Sequence, residues 1–284
     1  MVNVVNKVSM GVMQGRLLPK FQGRYSAHPL GYWQDEFPLA ANLGLENIEF
    51  ILDFNDVSLN PLMDSKGIDE ILSLSLKTGI KVKTVCANYF MEAPLQSLSR
   101  EIVKESQKIL HSLIRNSTQL GITGIVIPCE GQSSLIDKDS KERFIENMQS
   151  SIELAEKLDI NLLMETDLAP SSFSELLNEL KSPIISVNYD TGNSASLGYD
   201  PVEELLAYGN RISGIHIKDR KYRESSTILG TGDTNFELFF RELKKINYKG
   251  SFIMEVYRDD EGIEVFKRQL DWVKPKILEY ATNY

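Results

Sequence analysis

Thiols and imidazoles are scarce: the 284-residue chain holds two cysteines, Cys86 and Cys129, and three histidines. Two cysteines are too few for a disulfide framework and are expected as buried thiols of a reducing cytoplasm. No apolar run reaches the roughly 18 residues of a membrane span. The opening stretch MVNVVNKVSMGVMQGRL has no apolar h-region and no cleavage-site pattern, so the expectation is a soluble, cytoplasmic protein. Basic charge is in deficit as well, with 31 Lys and Arg against 40 Asp and Glu, a net charge of −9. Nucleic acid is therefore not an expected partner, because phosphate backbones call for a basic face. No low-complexity or linker-like segment interrupts the chain. Residues 1–284 are read as one domain, a length that α/β barrels occupy.

What is present is one unit, repeated. A short apolar run is followed by a polar loop and then by a stretch with helical spacing. The apolar runs are KVSMGVM (7–13), NIEFIL (47–52), IKVKTVCA (80–87), GIVIPC (124–129), INLLMET (160–166), IISVNYD (184–190), ISGIHIK (212–218) and SFIMEVY (251–257). Helix candidates such as WQDEFPLAANLG, SKERFIENMQSSIELAEKL and NFELFFRELKKI lie between them, several closing on Gly or Asn. Eight strands alternating with helices predict a (β/α)8 TIM barrel. The competing open, doubly wound sheet usually carries a Gly-rich phosphate turn after its first strand, and GVMQGRL has no GxGxxG.

Barrel chemistry belongs at the C-terminal mouth of the strands. Glu165 ends strand five, Asp190 ends strand six, His216 is late in strand seven and Glu255 late in strand eight. Period-two alternation puts Ser251, Ile253 and Glu255 on one face of the last strand, with Phe252, Met254 and Val256 on the other. Three carboxylates and an imidazole in one mouth need a counter-charge. One divalent cation supplies it, and an oxygen-rich set with one nitrogen and no thiolate favours Mn2+, with Mg2+ or Co2+ next and Zn2+ open. Each residue alone reads more simply as a loop cap, salt-bridge partner or core histidine; their coincidence on four successive strands points to a metal site. His111, inside QKILHSLI, is expected to be structural.

The segments LLMETD, VNYDTGN, GIHIKD and FIMEVY resemble the single-metal site of the xylose-isomerase-like TIM-barrel superfamily of sugar isomerases and epimerases. DTGNSASLGYD, GIHIKDRK and LGTGDTNFELFFRELKKINYKGSFIMEVY are similar to its L-ribulose-5-phosphate (L-xylulose-5-phosphate) 3-epimerase branch and to ketose 3-epimerases, most specifically over residues 160–275. The resemblance implies a metal-dependent epimerase that inverts C3 of a ketose, of the ketopentose 5-phosphate type. Glu165 and Glu255 would serve opposite faces of C3 through a metal-bound cis-enediolate. Arg220, Asn193, Lys218, Glu49 and Ser171 become candidates for binding the sugar. Lys218, Lys221, Ser171 and Ser172 are candidates for a phosphate. Asn88, Arg16, Tyr25 and Trp33 are softer candidates at the mouth, and GTGDTNF (230–236) is expected to close over it. Free-ketose 3-epimerases commonly carry a second Glu and a His where this chain has Ser171 and Asn193, which tilts the expectation toward the phosphate branch.

Other activities use similar groups. An aldose–ketose isomerase or a sugar dehydratase would also polarise a carbonyl on such a site. The endonuclease relatives of the fold bind several zinc ions through many histidines, and three histidines with a charge of −9 exclude that class. A non-catalytic sugar-binding barrel has no need of acids on both faces of the sugar. The expected partner is a small sugar or sugar phosphate, and homo-oligomers are common in the resembled family.

Overall fold

The computed structural model describes residues 8–282. Its eight strands are β1 (Met10–Met13), β2 (Asn47–Ile51), β3 (Thr84–Cys86), β4 (Gly124–Cys129), β5 (Asn161–Thr166), β6 (Ile185–Asp190), β7 (Ile212–Ile217) and β8 (Phe252–Met254). They close in chain order into a barrel whose neighbours are all parallel, β8 pairing back onto β1. This is the (β/α)8 barrel that the repeated unit predicts. Lys7, at the head of the first expected strand, lies outside the described residues.

Parallel neighbours need crossover helices, and several of those here begin or end on a local signal. Asp64, Ser99, Asp137 and Asn235 cap the helices Ser65–Thr78, Arg100–Leu120, Lys138–Leu158 and Phe236–Lys245 by accepting a backbone N–H. Gly79 and Gly121 end the first two of these in the left-handed region, where a Cβ is costly. The helix after β1, Glu36–Asn42, packs Phe37 onto Phe50 of β2. Full burial of such a side chain contributes about 1.5–3 kcal/mol. Trp33, a softer candidate at the mouth, belongs to this layer instead: it is buried, edge-on to Phe50 at 5.6 Å.

Alternation along the strands divides apolar residues between two cores. Ile48, Phe50, Phe252 and Met254 face the helices. Met13, Ile51, Cys86, Val126, Leu163 and Ile253 form a separate layer inside the barrel. Leu163 and Ile253 precede Glu165 and Glu255 by two residues, so the acids stand on the same inward faces, nearer the mouth. Cys86 and Cys129 are both buried and unpaired. His111 bridges the helices Arg100–Leu120 and Lys138–Leu158, its Nε2 lying 3.4 Å from Ser150 Oγ. Among the described residues no helix is long and apolar enough to cross a membrane.

The loop after β1 carries a buried histidine with a measurable consequence. His28 Nδ1 lies 3.0 Å from Gln14 Oε1, and burial, aided by Arg24, pushes its pKa down to about 4. The unfolded chain takes up that proton near pH 6.5, the folded chain only near 4. His28 therefore supports folding fully above pH 6.5, and that support is lost as pH falls through 4. Between pH 7 and pH 4 the native protein should lose about 3 kcal/mol more stability than His28→Gln. Urea midpoints at the two pH values check this; equal losses in both proteins would refute it.

Candidate active site

Glu165 and Asp190 stand at the ends of β5 and β6, His216 late in β7, and Glu255 directly after β8. Register sets Asp190 beside His216, and His216 beside Ile253. All four are buried, and one ligand-capable atom from each lies within 4.8 Å of the others. His216 Nε2 lies 2.7 Å from Glu49 Oε1, and Glu49 Oε2 in turn accepts from Thr84 Oγ1 at 2.5 Å. A carboxylate on Nε2 directs the other ring nitrogen inward as a ligand. That nitrogen, Nδ1, is 2.9 Å from Glu255 Oε2 and 3.4 Å from Glu165 Oε2, yet is hydrogen-bonded to neither. A buried, unbonded ring nitrogen among converging carboxylate oxygens fits a divalent cation.

Asp190 works on both sides. Its Oδ1 accepts from the backbone N–H of Gly192 and of Asn193, each at 2.8 Å, capping the short helix Thr191–Leu197. Its Oδ2 meets Lys218 Nζ at 3.1 Å. Lys218 also reaches Glu255 Oε1 at 2.8 Å. Burial opposes its charge, but Asp190 and Glu255 outweigh burial and raise its pKa well above the ordinary lysine value. A side chain at position 192 would block this: a Cβ there would stand 2.7 Å from Lys218 Cγ.

Electrostatics separate the two glutamates. Burial pushes Glu165 up to about 8 against the pull of His216, with Asp190, Glu130 and Glu255 adding to the rise. Its oxygens accept amide N–H groups, Asn188 Nδ2 at 2.7 Å and Asn193 Nδ2 at 2.9 Å. Burial would raise Glu255 too, but Lys218, His216 and Arg16 hold it well below the usual carboxylate range. Arg16, fully buried, brings Nη2 to 3.5 Å from Glu255 Oε1 and anchors the β1 loop through Tyr25 O and Ser26 Oγ.

A cavity of about 300 Å3 opens over the cluster. Glu165, Asn193, Lys218, Arg220 and Glu255 line it, as do Tyr25 and Asn88. Glu49 is in the barrel beneath, on His216 rather than in the cavity. Ser171 is exposed in the first turn of the helix Pro170–Glu179 and does not line the cavity; that helix buries Phe173, Leu176 and Leu177 and leaves Ser171 on its solvent side. Ser172 is likewise outside it, and Lys221 and Arg223 are exposed. The glycines of GTGDTNF tie their loop to a buried side chain: Gly230 and Gly232 N–H donate to Asp219 Oδ2 at 2.8 and 2.9 Å. Ser225 and Ser226, earlier in the same loop, form the wall.

Two residues of the site lay outside the sequence expectations. Asn188 shares the period-two face of Asp190, a signal that was there to use. Glu130 directly follows β4, outside the four strands whose ends carry the expected set.

The family model described as "Xylose isomerase-like TIM barrel" matches residues 37–276. The chain belongs to this family. L-ribulose-5-phosphate 3-epimerase UlaE of Escherichia coli is 28% identical over 262 residues, spanning 87% of this chain and 90% of that one. Among solved structures, D-allulose 3-epimerase from Methylomonas sp., in complex with D-allulose, is similar in fold at a TM-score of 0.72 and 17% identity, covering 95% of this chain and 97% of that one. A xylose isomerase-like TIM barrel protein from Mycobacterium smegmatis, in complex with magnesium, is similar at 0.71 and 17%, covering 98% of each.

Proposed function

We propose that this xylose isomerase-like barrel is a divalent-metal-dependent epimerase that inverts C3 of a ketose, of the ketopentose 5-phosphate type. That it is a sugar isomerase follows from relatives spanning most of the chain that are epimerases. The observation that carries the finer assignment is the approach of Glu165 and Glu255, from β5 and β8, to one buried nitrogen, His216 Nδ1.

Glu165, Asp190, His216 and Glu255 would hold the ion, and this donor set suits Mn2+ ahead of Mg2+, Co2+ or Zn2+. A bound cation polarises the ketone and acidifies the neighbouring C–H. The rest belongs to the chain. Inversion needs a proton removed from one face of C3 and another delivered to the opposite face, and one carboxylate tends to return the proton to the face it left. Glu165 serves one face and Glu255 the other, exchanging roles with the direction of reaction. Asn188 and Asn193 fix the Glu165 carboxyl; Lys218 and Arg16 fix that of Glu255. Arg220 lines the cavity and would donate to sugar oxygens entering it. Lys218 and Glu49 position site groups, Glu49 by holding His216.

The test is NMR in D2O, with ketoses and ketose 5-phosphates and added Mn2+. Deuterium should enter at C3 while the C3 epimer accumulates. Entry at C1 with aldose formation would replace the epimerase by an aldose–ketose isomerase.

A further inference from the structure

Glu130 lines the same cavity as the reacting carboxylates but supplies none of the four converging ligand atoms. It is not a salt-bridge partner either: no Lys, Arg or His nitrogen among the described residues pairs with it. Its Oε2 accepts from Asn193 Nδ2 at 3.2 Å, and its side chain also faces the Ser133 backbone N–H in a capping box over the turn Gly131–Ser133. A carboxylate offers about four acceptor sites, so acceptor capacity remains on its cavity side. Glu130 is partly buried at the cavity wall, so this capacity is open to a donor that enters the cavity.

Asn193 can give Glu130 no second hydrogen bond. Its two amide N–H groups go to Glu130 at 3.2 Å and to Glu165 Oε1 at 2.9 Å, while its Oδ1 accepts from Arg220 Nη1 at 2.8 Å. Both donors are spent. Asn193 is thus a strut that sets Glu130, Glu165 and Arg220 at fixed separation. What the cavity offers a sugar on this side is the Glu130 carboxylate as acceptor, with Arg220 as donor beside it.

We propose that Glu130 is a substrate-binding residue that accepts a hydrogen bond from a sugar hydroxyl on the Glu165 side of the reacting carbon. This rests on the sugar-epimerase reading and deepens it. A hydroxyl donates to a carboxylate, whereas a phosphate dianion is repelled by it. The end of the substrate that meets Glu130 is therefore an uncharged, hydroxyl-bearing carbon, and any phosphate is carried at the other end.

Equilibrium binding to the Mn2+-loaded protein, by titration calorimetry, tests this with a ketose, its 5-phosphate and a set of monodeoxy analogues. Loss of a hydrogen bond to a charged group should weaken the parent sugar about 10- to 100-fold in Glu130→Ala, with Glu130→Gln between it and the native protein. Affinity for Mn2+ should stay within about twofold, since Glu130 is no ligand. One monodeoxy analogue should bind the native protein as weakly as Glu130→Ala binds the parent sugar, and lose nothing further in the variant.

Unchanged sugar binding in both variants, an equal loss for every analogue, or a fall in Mn2+ affinity like that of Asp190→Asn would overturn the assignment. So would a native protein that binds none of the sugars. D2O exchange on the same samples separates the two claims. The expected binding pattern without C3 exchange would leave Glu130 assigned and remove the epimerase. C3 exchange with KM unchanged in Glu130→Ala would do the reverse.

Discussion

Glu165→Gln and Glu255→Gln should each lower epimerisation about 10³-fold, within the range that a positioned acid or base contributes. The informative part is what survives. Each variant keeps one proton-transfer group, so each should still exchange the C3 hydrogen that faces the remaining carboxylate. Supplied with the two epimers separately, one variant should wash deuterium into one epimer without inversion, and the other variant into the other epimer. The local bonds explain why glutamine is disruptive as well as non-basic. At Glu165 two amide donors, from Asn188 and Asn193, meet the carboxyl oxygens, and a glutamine nitrogen would oppose one of them. At Glu255 the same nitrogen would face the Lys218 ammonium or His216. Because both residues are also candidate ligands, Mn2+ affinity must be measured alongside, with Asp190→Asn as the control that loses metal while both acids remain. Equal loss of exchange for both epimers in both variants, at retained metal affinity, would sink the two-carboxylate scheme.

Much of this site was legible before any coordinates, and for a definite reason. In a parallel barrel the strand ends are the mouth, and period two tells which residues point inward. Leu163 and Glu165, Asn188 and Asp190, Ile253 and Glu255 follow that rule directly. Local period says nothing about which loop a polar group meets. Ser171 is a candidate through the family resemblance alone, and in the fold it stands exposed in the first turn of the helix that Pro170 starts. Lys218, just past the end of β7, lines the cavity as expected of a substrate-binding candidate, but its pairing with Asp190 and Glu255, through space left by the missing side chain of Gly192, is not written in the local pattern. The glycines of GTGDTNF read as a closing loop, while their partner, Asp219, lies 11 residues before the first of them. No pattern in a single sequence marks such a pairing, because it is decided by the tertiary path of the loop.

That pairing yields the largest expected change in stability, from Asp219→Ala. Asp219 is fully buried and accepts three backbone N–H groups: Gly230 and Gly232 on Oδ2, and Thr234 on Oδ1 at 3.1 Å. Contact is so close that a Cβ at position 232 would fall 2.3 Å from Asp219 Oδ1. Removing the carboxylate leaves these donors without their acceptor, and at about 1–3 kcal/mol for each that stays unsatisfied the loss should total about 3–5 kcal/mol. For a domain of this size that corresponds to a fall of about 6–12 °C in Tm. Asp219→Asn should recover only part of it, since the amide nitrogen would confront one of the same N–H groups. The effect on catalysis should be of a different kind from that of the glutamate variants. Arg220, Ser225 and Ser226 lie on the segment that Asp219 organises, and Arg220 O accepts from Asp233 N at 2.9 Å. KM should therefore rise more than kcat falls, with Mn2+ affinity kept within a few-fold because all four ligand candidates lie outside the loop. A Tm within about 2 °C of the native value would show that the loop holds its shape without the carboxylate at its centre.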